Sequence, residues 1–410
     1  MKQGWEVKKL VEVCQIRPPK KEAKDRLSDE ELVSFVPMEN LERLSKNFIA
    51  KNERALKEVY KGYTFFREED VLLAKITPCF ENGKLGIARN LKNGIGFGSS
   101  EYIVLRTKGE IIPDYLFYFL SKEEFRLNGQ KVMTGAVGHK RVPLDFVENT
   151  EIPFPKTHLE QQRVVELIDE AFESIEKAKE NTEKKLQNAR ELFESYLQGV
   201  FANPPQDWEE KRLGEITSKI GSGATPKGGK ASYKEQGISL IRSQNVYDDG
   251  FRELNLAFID EMQAKKLNNV EIFKDDVLLN ITGASIARCC VVPEEILPAR
   301  VNQHVSILRP IVDIIQSSFL QYSLISKPNK EKLLNIARSG GSTREALTKD
   351  DLFAFSIFIP QTISEQESIV EKLDTLAEET KKLEEIYIKK LANLDKLKKS
   401  ILQKAFNGEL

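Results

Sequence analysis

Two long runs of the chain carry apolar residues at spacings of three and four. The first places Val164, Ile168, Ala171, Ile175, Ala178, Thr182, Leu186, Ala189, Phe193, Tyr196 and Val200 on one stripe. The second does the same with Ile369, Leu373, Leu376, Thr380, Leu383, Tyr387, Leu391, Leu394, Leu397, Ile401 and Ala405. Both are free of proline and rich in Glu, Lys, Leu and Ala, so each predicts one long helix. A four-four step in each is a stutter that unwinds a coiled coil locally. Neither helix can bury its stripe alone, so the two are expected to pair as an antiparallel coiled coil. Ile168, Ile175, Leu186, Phe193, Leu373, Leu383, Leu391 and Ile401 are the positions expected to serve that pairing or to dock a partner. Ser364, three residues before Glu367, has capping-box spacing at the second helix start. Before each run lies a block of short apolar segments separated by Gly and Pro. Val71–Ala74, Tyr102–Leu105, Val277–Ile281 and Val305–Leu308 predict buried strands, and 111–120 and 314–325 suit short helices.

The second half repeats the first. Trp5-Glu6-Val7-Lys8-Lys9-Leu10 returns as Trp208-Glu209-Glu210-Lys211-Arg212-Leu213, and these hold both tryptophans. Asp70-Val71-Leu72-Leu73 returns as Asp276-Val277-Leu278-Leu279, Val104-Leu105-Arg106 as Ile307-Leu308-Arg309, and Glu160-Gln161 as Glu365-Gln366. The offset stays between 203 and 206 residues throughout. Chance does not hold such a register, so the chain is a tandem duplication. The expected architecture is α/β: two mixed α/β domains in tandem, separated by two long helices. The boundaries are 1–155 for the first globule, 156–203 for the first helix, 204–360 for the second globule and 361–410 for the second helix.

Composition narrows this further. No apolar run approaches the roughly 18–20 residues needed to span a bilayer, and the first residues lack a secretory pattern. A cytoplasmic protein with no membrane contact is expected. Cys14, Cys79, Cys289 and Cys290 form no CxxC pair, so neither a disulfide framework nor a cysteine metal site is predicted. The three histidines, His139, His158 and His304, lie far apart in sequence. Net charge is −1. Residues 1–155 carry 26 Lys+Arg against 23 Asp+Glu, and 156–207 carry 7 against 11. A nucleic-acid face on the globules is allowed, not demanded.

Catalytic constellations are missing from the pattern. Asn203-Pro204-Pro205-Gln206 resembles the Asn-Pro-Pro-aromatic motif of DNA amino-methyltransferases, but Gln206 stands where the base-stacking ring belongs. Gly94–Gly98 is glycine-rich, yet its context fits a hairpin turn. Gly221–Lys230 lacks the Gly-Lys-Ser/Thr order of a phosphate loop. Pro113-Asp114 with Glu123-Glu124 has only a loose nuclease spacing, and a solvated helix face explains it better. No catalytic residue, metal site or cofactor is assigned.

What remains is a set of polar loops. Arg pairs with guanine and Asn or Gln with adenine in the major groove, and small residues let backbone approach phosphate. In the first globule the candidates are Lys75, Thr77, Ser99, Ser100, Lys131, His139, Lys140 and Arg141. In the second they are Thr225, Lys227, Arg242, Gln244, Asn245, Thr282, Ser285, Asn302, Gln303, Arg338, Ser342, Thr343 and Arg344. Their recurrence at matched positions of the two globules carries more weight than any one of them.

With these features together the chain resembles the specificity (S) subunits of type I restriction-modification systems over its whole length. The resemblance rests on Phe35–Leu41, Ser222–Pro226, the strands at Val71 and Val277, the glycine loops 135–138 and 340–343, and the Glu-Gln helix entries, in that order. It implies two target-recognition domains, each reading one half of a bipartite, asymmetric double-stranded DNA target, with the helices as spacer. It implies two methyltransferase (M) subunits docked along the helices and two motor-nuclease (R) subunits that can join. The chain itself would be non-catalytic. Two alternatives stay open: a coiled-coil scaffold with two adaptor heads, or a self-contained DNA methyltransferase or nuclease fragment.

Overall fold

The computed structural model describes residues 3–136, 138–339 and 345–410. The chain divides into two compact units: residues 1–183 with 389–410, and residues 184–388. Both long helices are continuous, His158–Ala202 and Ile363–Asn407, and each contributes one segment to each unit.

In the first unit, Cys14–Ile16, Tyr102–Thr107, Val71–Ala74 and Leu85–Ile87 form an antiparallel sheet in that spatial order. A second sheet runs Asn52–Ala55, Leu32–Val36, Ile95–Gly98, Thr64–Arg67, with one parallel pair at its centre. Trp5–Lys9 pairs with Glu151–Pro155 and closes the globule. The second unit repeats this plan. Its first sheet runs Thr217–Ser222, Val305–Pro310, Val277–Asn280, Cys289–Val291. Its second runs Ala257–Ile259, Ile238–Ile241, Ala299–Val301, Glu271–Ile272, again with one parallel pair at the centre. Glu209–Arg212 with Ser356–Ile359 closes it.

The unbroken apolar runs have a simple cause. Side chains alternate across a strand, and these strands are covered on both faces. Val71 and Leu73 enter one core with the helices, while Leu72 and Ala74 enter another beneath the second sheet. Val277 and Leu279 part from Leu278 in the same way. Each strand is approached through a positive-φ residue, Glu69 or Asp275. The aspartate between that residue and the strand is fully buried and makes the same ion pair in both units. Asp70 takes both Nε and Nη2 of Arg106 at 2.7 and 2.8 Å, and Asp276 takes those of Arg309 at the same distances. Both aspartates also cap a backbone N–H, of Arg67 or Phe273.

The helix stripes do more than pair. In the first unit Val164, Val165 and Ile168 of the first helix and Leu402, Ala405 and Phe406 of the second are buried in the globule's own core. Ile401 of the second helix packs against it half-buried, and Ile175 of the first helix is buried. In the second unit Leu197, Phe201, Val370 and Leu373 do this, with Phe193 against them. Leu186, Leu383 and Leu391 are half-buried. The pairing is antiparallel within each unit: Glu176–Lys398 and Lys179–Asp395 in the first, Arg190–Glu384 in the second. Between these stretches the most buried side chains are small, Thr182, Ala189 and Thr380.

The Glu-Gln entries now have a physical reason. Gln161 is fully buried. Its amide oxygen accepts from Ile112 N at 2.9 Å, and its amide nitrogen donates to the Glu110 and Pro155 carbonyls at 2.8 and 2.9 Å. Gln366 repeats this, accepting from Gln316 N and donating to the Ile314 carbonyl. One side chain thus ties the helix start to a loop that would otherwise leave buried backbone groups unpaired.

Three expectations need correction. The second helix is capped by Thr362, whose Oγ1 accepts from Glu365 N at 3.3 Å, not by Ser364; Thr157 does the same at the first helix. The helix begins one residue before Ser364, so Ser364 lies inside it. Ile95–Gly98 is a strand, not a turn. A Cβ on Gly96 would lie 2.1 Å from the Phe66 ring and one on Gly98 2.3 Å from the Val36 carbonyl, so these glycines serve close packing. Asp114 is no solvated acid, because it binds Arg89 and Lys46.

Gln161→Ala leaves three buried or part-buried backbone groups without this partner, so unfolding should lose about 1–3 kcal/mol. Denaturant titration checks this, and a change within about 0.5 kcal/mol, the level of an ordinary surface substitution, would contradict the locking role.

Candidate nucleic-acid interface

In the first unit three loops meet at the end of Val71–Ala74. Lys75 N donates to the Glu101 carbonyl, Val142 N to the Lys75 carbonyl and Thr77 N to the Lys140 carbonyl, each at 2.9 Å. Segments 75–77, 99–101 and 138–141 are thereby one surface, with Thr134 bridged to Arg141. On it, the Lys75 ammonium donates to the Ser100 carbonyl at 2.8 Å. Arg141 donates through Nε and Nη2 to both Glu101 carboxylate oxygens, at 2.9 and 2.7 Å, and through Nη1 to the His139 carbonyl. Ser99 Oγ accepts from Glu101 N, and Thr77 Oγ1 donates to Glu81. Burial holds the Lys75 amine below its ordinary value; Glu101 opposes this, while Arg17 and Arg141 add to it. The Arg141 guanidinium holds the Glu101 carboxyl below the usual range against partial burial, with Lys75 assisting.

The second unit builds the same scaffold. Ile281 N donates to the His304 carbonyl and Leu347 N to the Ile281 carbonyl, the counterparts of the Lys75–Glu101 and Val142–Lys75 bonds. Thr282 bridges Ala346 as Ile76 bridges Arg141. Here the polar side chains form a chain of contacts. Thr225 Oγ1 donates to Gln303 Oε1 at 2.5 Å. Gln303 Nε2 meets His304 Nε2 at 3.1 Å, and His304 Nδ1 meets Thr282 Oγ1 at 2.5 Å. With the amide in this orientation its nitrogen donates, so His304 Nε2 accepts. Gly223 brings the Thr225 loop close: its N–H reaches the Asn302 carbonyl at 3.1 Å, and a Cβ there would lie 1.9 Å from the Val301 carbonyl.

The remaining candidates divide by position. Arg242 and Gln244 adjoin this surface, since Asn302 N donates to the Ile241 carbonyl and Asn280 Nδ2 to the Ser243 carbonyl. Arg242 lies over the Tyr233 ring and, like Gln244, donates to the Asn255 carbonyl. His139, Lys140 and Lys227 are exposed and Ser285 half-buried; exposed Arg338 faces Glu345 at 3.6 Å. Lys131 lines a groove beside the helix pair, with Arg126 and Lys399. Asn245 and Asn302 are buried. Asn245 gives its amide to the Arg252 and Leu254 carbonyls and accepts from Arg242 N, and Asn302 Oδ1 accepts from His304 N. Both shape turns, and the Asn245 amide is turned inward. Ser342, Thr343 and Arg344 lie outside the described residues.

Arg17, Glu101 and His304 escaped the sequence reading. Glu101 and His304 stand at matched positions just before equivalent strands, at the repeat offset. Aligning the two copies position by position there was the signal available.

A family model described as "Type I restriction modification DNA specificity domain" matches the chain twice, at residues 2–185 and 205–393. The chain belongs to that family. A curated relative, the type I restriction enzyme EcoAI specificity subunit of Escherichia coli, is 37% identical over 198 residues, 47% of this chain and 32% of the relative. The match thus spans about a third of that curated relative's length. Two solved structures share the fold across the whole chain, each 22% identical. One comes from work on complex assembly and conformational transition of the type I R-M system (TM-score 0.77, 99% of that chain covered). The other is the HsdS subunit from Thermoanaerobacter tengcongensis (TM-score 0.69, 98% covered). Both long helices and both mixed sheets are therefore features of a known specificity-subunit fold. Among the described residues no helix is long and apolar enough to cross a membrane.

Two outcomes follow. Asn245→Ala should destabilise the second unit by about 1–3 kcal/mol, whereas Gln244→Ala should stay within about 0.5 kcal/mol; equal effects in thermal unfolding would contradict the division between turn-former and surface residue. Glu101 has a depressed pKa, so its pairing with Arg141 holds from neutrality downward and is lost only as pH falls through that depressed value. NMR exchange of the Arg141 Nε proton against pH reads this, and release near neutrality would contradict it.

Proposed function

We propose that the chain is the DNA-reading subunit of a type I restriction-modification complex, each unit contacting one half of a split, asymmetric target in the major groove. The observation that carries this is the pair of matched loop surfaces: one scaffold built twice, bearing different polar side chains. Identical surfaces would read a repeated half-site, whereas different ones read two sequences. The functional division is 1–155 and 204–360 for recognition, with 156–203 and 361–410 as spacer. The spacer docks two methyltransferase subunits, which supply S-adenosylmethionine and methylate adenines, and two motor-nuclease subunits can join them. The chain contributes no catalytic group and works in the cytoplasm. Lys75, Thr77, Ser99, Ser100, Lys140, Arg141, Thr225, Lys227, Arg242, Gln244, Thr282 and Gln303 supply the contacts, and Arg17 is added to them. Net charge of −1 leaves little phosphate neutralisation to the isolated chain, and that neutralisation supplies most non-specific affinity.

Co-expression with the methyltransferase encoded beside this chain, followed by genome-wide mapping of methylated adenine, tests the assignment. One split motif with a constant gap, lost when the chain is omitted, is expected. Methylation that ignores the chain would return it to a scaffold role. The purified chain alone should bind the mapped target more weakly than the assembled complex does; equal affinity in a titration at fixed salt would contradict the shared clamp.

A further inference from the structure

The two loop surfaces differ in a specific way. Just before the final strand of the first sheet, the first unit has Ser100 and the second has Gln303, at the repeat offset. On the third loop the first unit has Arg141 where the second has Ala346, since each bridges the residue after the matched strand. At these two matched positions each unit therefore carries one long polar side chain, on a different loop of the same scaffold, where the other unit has a small residue.

Both side chains are exposed and both are oriented. Arg141 spends one N–H of Nε and one of Nη2 on Glu101, and one of Nη1 on the His139 carbonyl. A guanidinium has five N–H groups, so two remain, one on each terminal nitrogen. Two N–H donors on the neighbouring terminal nitrogens suit the O6 and N7 acceptors of guanine. Gln303 gives one lone pair to Thr225 and one N–H to His304. One lone pair and one N–H remain, and the count is the same in either amide orientation. One acceptor beside one donor matches N6–H2 and N7 of adenine.

Resting on the specificity-subunit reading above, we propose that Arg141 reads a guanine in one half-site and Gln303 an adenine in the other. Glu101 positions the first, and Thr225 with His304 the second. Pinning each side chain before DNA arrives removes rotamer freedom that would otherwise be lost on binding, which sharpens discrimination at the contacted base.

The test uses the chain assembled with its methyltransferase subunits and a library of targets carrying every single-base change in both half-sites. The unaltered complex should demand a guanine at one position of one half and an adenine at one position of the other, each by roughly ten-fold to a hundred-fold. Gln303→Ala should abolish the adenine demand and leave the other half untouched, and Arg141→Ala should do the converse. Gln303→Glu keeps the size and offers acceptors alone, so preference at that position should move from adenine toward cytosine, whose N4 donates. Glu101→Gln should weaken the guanine demand without abolishing it. Uniform weakening across all sequences by Gln303→Ala and Gln303→Glu, with melting unchanged, would overturn the proposal while leaving the subunit's role intact. An unaltered complex with no sequence preference at all would instead overturn the role on which the proposal rests.

Discussion

Burial of the long helices' apolar stripes against the globules is the constraint on which the rest depends. The first core takes Leu402, Ala405 and Phe406 from near the end of the chain, and Phe406 stands edge-on to Tyr115 and Phe119 at 5.0 and 5.5 Å. The second takes Leu197 and Phe201, with Phe201 against Trp208 and Phe319. Fully burying one such side chain is worth about 1.5–3 kcal/mol, and several do so at each place. The helices are therefore structural parts of the globules, not linkers between finished domains. Gln161 and Gln366 add direction, because each fixes where its helix leaves its globule.

Above that frame the two units keep the same load-carrying chemistry and vary what sits on it. The Asp70–Arg106 and Asp276–Arg309 contacts have the same distances, and two of the backbone bonds that join the loops recur in both units. Removing one partner of such a buried pair strands a charge, at a cost of about 3–5 kcal/mol, so the pairs resist change. The exposed loop side chains have no such penalty. A duplicated fold with a conserved interior and divergent loop tips can acquire two recognition sequences independently. The tying of Arg141 by Glu101 and of Gln303 by Thr225 and His304 shows the two units reaching orientation by different means.

Much of this was legible in the sequence because it is local or periodic. The repeat, the strands Val71–Ala74 and Val277–Asn280 and both helices follow from spacing alone. The capping residue was misplaced because Ser364 and Glu367 have the right separation, while Thr362 sits where the chain turns into the helix. The glycines at 96 and 98 read as a turn because nothing local reveals Phe66 or Val36 packed against them. Residue type marks polar loop positions but does not tell a surface amide from one folded inward, so Asn245 stands beside Gln244 in the sequence pattern. The roles of Glu101 and His304 come from partners on other loops, so only their matched position in the repeat marks them in the sequence.

The central claim is that each unit reads its own half of the target. The most direct measurement exchanges residues 1–155 for the equivalent segment of another family member, expresses the chimera with the methyltransferase subunits, and maps the methylated motif. The account predicts that one half of the motif changes to that of the donor while the other half and the gap stay fixed. A chimera that assembles and methylates with both halves altered, or with neither altered, would contradict it.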